Sequence, residues 1–117
     1  MKNELLDDLN NLIEHLESKR GSYIEVVSHM TRTPGSLDRH STTRSCLVMQ
    51  LETVGIAFSG AKFLLIGEAL GCHVAHEVFL DLLQELNAAE NSTVLVERFG
   101  KLAERHTSIR LLDDVAA

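Results

Sequence analysis

One hundred and seventeen residues suffice for one domain, and with 44% of them hydrophobic the chain can form a real core. A net charge of −6, from 17 acidic and 11 basic residues, opposes long-range attraction to nucleic acid. One proline and seven glycines offer few turns for an all-β sandwich, and the longest charge-free stretch, Thr53 to Ala61, falls well short of the ~20 residues that cross a bilayer as a helix.

Residues 2–20 are predicted to form an amphipathic helix. Leu5, Leu9, Leu12 and Leu16 step by four, three and four, with Leu6 and Ile13 beside them and Asp7, Asp8, Glu14 and Glu17 on the other side. Acids lead and Lys19-Arg20 close the helix, which suits its dipole, and Gly21 fits the position just past its end. Ser22-Tyr23-Ile24-Glu25 has capping-box spacing for a short helix to Met30, although the β-branched residues there also permit a strand. Residues 31–45 are polar and contain the turn Pro34-Gly35, so they read as a linker or as the start of the next helix. The chain thus divides into a helical arm (1–30), a Ser/Thr/Arg linker (31–45) and a helical core (46–117).

From Cys46 to Leu86 the chain is apolar on nearly every side. A helical reading gives one helix from Cys46 to Phe58, a break at Ser59-Gly60 and a second from Ala61 to Asn87, up to about 40 Å long at the helical rise. Further helices are expected over 93–106 and 107–115. A helix that is apolar all round must be covered by something. The fold class expected is therefore all-α, a small helical bundle of four to five helices around a long, nearly buried central helix, dimeric because the apolar surface exceeds what one copy covers. The small residues Gly67, Gly71 and Ala75 recur every four positions and would let two such helices approach closely as dimer packing.

Chemistry-bearing patterns are weak. Cys72, His73, His76 and Glu77 are the most metal-like cluster, but the histidines are three apart, the glutamate follows the second, and no other cluster completes a ligand set. No metal and no cofactor are expected. Cys46 and Cys72 read as buried small hydrophobes in a reducing compartment. No catalytic residue is assigned, and the chain is expected not to be an enzyme. Arg98, Lys101 and Arg105 would form one basic stripe on the 93–106 helix, the layout of a dimeric helix-turn-helix-like DNA-binding transcriptional regulator. Glu90, Glu97 and Glu104 stand close to it, which disfavours nucleic acid as a partner.

The favoured function is a non-enzymatic protein–protein interaction module. It would be a small acidic homodimeric regulator, an adaptor or an antagonist (antiactivator) of a regulatory protein such as a transcription factor, acting through an apolar helical face. The partner-binding residues expected are Leu5, Leu9, Leu12 and Leu16 on the first helix, and Val78, Leu82 and Leu86 on the long one. Met1-Lys2-Asn3-Glu4 lacks the pattern of a signal peptide, so a cytoplasmic location without membrane contact is expected.

Overall fold

The computed structural model describes residues 3–31, 42–57, 59–89 and 91–112. One helix, α1 (Asn3–Glu17), precedes seven strands: β1 (Tyr23–Thr31), β2 (Thr42–Ala57), β3 (Lys62–Ala69), β4 (Cys72–Phe79), β5 (Leu83–Ala88), β6 (Ser92–Phe99) and β7 (Ala103–Leu111). A 3₁₀ turn, Leu80–Leu82, joins β4 to β5. The strands form one sheet in the order β4-β3-β2-β1-β7-β6-β5.

The all-α helical bundle is therefore overturned. The long central helix does not exist: its residues make β3, the Leu70-Gly71 turn, β4, the 3₁₀ turn and β5. The expected helix at Cys46–Phe58 is part of β2, and the one at 93–106 is divided between β6, a turn and β7. The boundary drawn at residue 30 falls inside β1, a central strand between β2 and β7. Of the linker, residues 32–41 lie outside the described residues, while Thr31 ends β1 and Thr42–Ser45 open β2. Residues 113–115 of the last expected helix also lie outside them. The helix at the N-terminus does form, over Asn3–Glu17.

Every strand pair is antiparallel. Counting directions outward from β1, both β4 and β5 run opposite to it, so they run the same way. The path β4–3₁₀–β5 is thus one bent strand, its first half bonded to β3 and its second half to β6. In this way the two sheet edges meet, and the sheet curls into a flattened barrel. β2 supplies a second corner. Its sixteen residues pair with β1 up to Gln50 and with β3 from Gln50 onward, and the register slips between Leu51 and Thr53. A bulge of this kind bends a strand and lets it serve two sheet halves.

The core lies inside the curl and is closed by α1. Leu9, Leu12 and Leu16 project from the helix onto Ile24, Val26, Met49, Leu51, Leu65, Leu95 and Ile109. Fully burying one such leucine contributes about 2 kcal/mol, so this stripe ties α1 to the sheet as part of the domain rather than as an arm. Alternation sets the inner face elsewhere: Ile24, Val26 and Ser28 are buried in β1, and Phe63, Leu65 and Gly67 in β3.

Candidate functional site

The residues named from the sequence are dispersed. Leu9, Leu12 and Leu16 are buried in the core, as is Val78, so none of them offers a free partner surface. Leu5 and Leu86 are half-buried against that core, and Leu82 lies half-buried in the 3₁₀ turn. Gly67 is an inner residue of β3, Gly71 a turn residue and Ala75 an exposed residue of β4, so the small-residue row is not a packing face. Cys72 and His76 alternate with His73 and Glu77 on opposite faces of β4. Among the described residues no group of three or more His, Cys, Asp or Glu side chains could hold a metal. Both thiols are exposed, against the expectation that they are buried.

Arg98, Lys101 and Arg105 also part company. Lys101 is exposed in the β6–β7 turn. Arg98 pairs with Glu104, its Nη2 3.1 Å from Oε2, and His106 Nε2 lies 2.6 Å from Glu104 Oε1. The hydrogen bond from His106 and then those from Arg98 hold the Glu104 carboxyl below its ordinary range, although burial pushes the other way.

Arg105 points inward. Its Nε and Nη2 donate to Glu97 Oε1 and Oε2 at 2.6 and 2.8 Å. The same Nη2 donates to the Glu77 carbonyl at 2.7 Å, and the Phe79 N–H donates to Glu97 Oε2 at 2.9 Å. Glu97 and Arg105 face each other across β6 and β7. Together they give the end of β4 the acceptor and donor that a neighbouring strand would have given. The guanidinium carbon sits 5.8 Å from the Phe79 ring centre and 5.9 Å from that of Phe99, and those rings meet edge to face. This pair is a clasp at the barrel corner, largely buried, with both Glu97 carboxylate oxygens bonded.

Close by, His76 Nε2 lies 3.4 Å from the hydroxyl of the buried Thr107. Burial first, and then the Arg105 cation, lower the His76 pKa from 6.5 to about 4. The unfolded chain takes up this proton near pH 6.5, whereas the folded chain resists it until about pH 4. This contribution to stability is complete above pH 6.5 and is lost on acidification through that window, by roughly 3 kcal/mol in all. Urea midpoints at pH 7 and pH 4.5 test it: His76→Gln is expected to lose distinctly less stability between them than the parent.

Two concave regions stand out among the described residues. One groove of about 520 Å³ runs between α1 and the ends of β5, β6 and β7. Leu12, Leu16 and Ile109 floor it, and Asp8, His15 and Lys19 form a rim of mixed charge. The second, of similar volume, lies on the outer face, bounded by Tyr23, Cys46, Val48, Gln50, Glu68 and Leu70. Here apolar side chains reach solvent: Tyr23 is 37% exposed, Val48 42%, and Leu70 fully.

Leu70 and Gly71 form a two-residue hairpin turn closed by the Ala69–Cys72 pair, with φ of +53° and +80°. Two positive φ values are the signature of a type I′ turn, which favours Asn-Gly. A leucine in the first position carries backbone strain of about 1–2 kcal/mol and gains no burial. No sequence signal marks it, because a helical reading puts Leu70 in the interior of the expected Ala61–Asn87 helix. Comparison with protein-family profiles, curated proteins and solved structures finds no match to this chain.

Proposed function

We propose that this chain is a non-enzymatic protein–protein interaction module, a small regulator of the adaptor or antagonist kind, docking through the outer-face patch around Leu70. One observation carries the reading. A bulky apolar side chain stands fully in solvent on a strained turn, beside an apolar groove that includes Tyr23 and Val48. Strain and exposed apolar surface kept together mark binding sites more often than structural ones. The clasp and the Glu104 cluster consume the strongest charges in internal pairs, which supports binding rather than catalysis. Because the sheet and α1 bury their own core, no excess of apolar helical surface calls for a second copy. The two exposed free thiols support a reducing, cytoplasmic setting.

The test is a variant that separates stability from binding. Leu70→Asn creates the favoured Asn-Gly turn and is expected to raise stability by about 1 kcal/mol. The same change is expected to abolish retention of the partner that the parent protein captures from host extract, and to abolish binding of that partner once purified. A stabilised Leu70→Asn that binds the purified partner as tightly as the parent would remove this surface from the function.

A further inference from the structure

Among the described residues, β2 has an unpaired edge. Thr42–Gln50 bond to β1 on one side, but β3 begins its pairing only at Gln50 and turns away at Leu70-Gly71. Among the described residues no strand lies beside Thr43–Leu47 on the side that β3 occupies lower down. Five residues span roughly 17 Å, the length of an ordinary strand. Thr43, Arg44, Ser45 and Cys46 are all exposed. A bare edge of this kind templates pairing with another chain.

The charges nearby say what that chain should carry. Four described arginines have a carboxylate partner: Arg20 with Glu17, Arg98 with Glu104, Arg105 with Glu97, and Arg110 with Glu25. Among the described residues Arg44 is the exception, in a chain with an excess of acids. It faces outward on the edge itself, opposite His29 of β1, which in turn faces His106 of β7. Cys46 and Val48 follow Arg44 on the same face and lead into the groove beside Leu70.

Deepening the interaction-module reading, and resting on it, we propose that this edge takes an extended segment of another protein by strand addition, with a carboxylate beside Arg44 and apolar side chains at alternate positions over Cys46 and Val48. Main-chain hydrogen bonds supply the affinity, and the alternating side chains supply the choice of partner. An antiparallel segment would read apolar-x-apolar-x-acidic.

Fluorescence anisotropy with a labelled peptide, Thr-Val-Thr-Val-Thr-Glu-Thr, tests this on the full chain. Binding is expected, and it should weaken roughly fivefold when the glutamate is replaced by lysine. N-methylation of alternate peptide nitrogens on the pairing side should abolish it, because side-chain contacts remain while the ladder cannot form. Arg44→Glu, an exposed substitution that leaves the core intact, should reverse the preference between the two peptides. The proposal is overturned by no binding up to about 1 mM, by equal binding of the N-methylated peptide, or by an unchanged preference in Arg44→Glu. It is equally overturned if sedimentation shows a dimer that the peptide does not dissociate and that Arg44→Glu does, since a second copy would then own the edge. Failure of the peptide with loss of partner binding in Leu70→Asn would defeat strand addition and leave the interaction module standing.

Discussion

Glu97→Ala is expected to lower the unfolding free energy by about 3–5 kcal/mol, measured by urea denaturation at neutral pH. The loss has two sources. Arg105, with only 17% of its side chain exposed, would keep its charge without a counter-ion. The Phe79 N–H would lose its acceptor, and with it the bond that holds the end of β4 to β6. A buried ion pair is often replaceable by apolar residues at no cost, but here the outcome should differ. Glu97→Met with Arg105→Met removes the stranded charge, yet the Phe79 N–H and the Glu77 carbonyl remain without partners. The double variant is expected to recover part of the loss and to stay about 1–3 kcal/mol below the parent. Full recovery would mean that the pair serves only itself and does not stand in for a strand.

Gly67→Ala is expected to cost about 3 kcal/mol, at the upper end for overpacking. Replacing glycine by alanine in an extended segment usually helps slightly, by restricting the unfolded chain. Here the sign reverses because of one neighbour. A Cβ on Gly67 would sit 2.3 Å from the Gln50 carbonyl oxygen and 2.9 Å from Met49 Sδ. The methionine tip can swing aside, but the carbonyl belongs to the point where β2 passes from β1 to β3. Relief therefore requires the two strands to part at the bulge. Thermal unfolding compared with Gly55→Ala, where a Cβ meets nothing within 4 Å, isolates the clash. Equal melting temperatures for the two variants would show that β3 yields there freely.

How legible was this fold in the sequence? α1 could be read because its apolar residues recur at helical spacing and its end carries basic residues and a glycine. β1 was ambiguous: Tyr23, Ile24, Val27 and Met30 suit a helix, whereas Ile24, Val26 and Ser28 suit a strand. The central run misled for a physical reason. Phe63 and Leu65 face the core while Leu64 and Ile66 are half-buried on the outer face, so no alternation survives. A continuous apolar run then fits a buried strand as well as a buried helix. Length should have arbitrated. Gly60, Gly71 and Gly100 all have positive φ and mark three hairpin turns, and the first two enclose a segment of strand length, too short for the helix assigned there. A glycine at each of these three turns supplies the positive φ, while the β4–β5 and β5–β6 connections manage without one.

The site was less legible still. Glu97 and Arg105 are eight apart and meet only because the hairpin folds between them. Read as a helix, Arg105 falls on a basic stripe with Arg98 and Lys101, and Glu97 is only a nearby acid. Leu70 acquires meaning only when the turn gives it a positive φ, and among the described residues the bare edge of β2 exists because β3 ends opposite Gln50 and turns back at Leu70-Gly71.

The partnership of β1 has a consequence for the chain's birth. Its two neighbours are β2, which follows closely, and β7, which ends at residue 111. While the ribosome is still extending the chain, the β1–β4 meander stands with one flank of β1 uncovered and with no Glu97 or Arg105 to hold the corner. Closure requires residues 103–111, so a chain that lacks them leaves one flank of β1 unpaired.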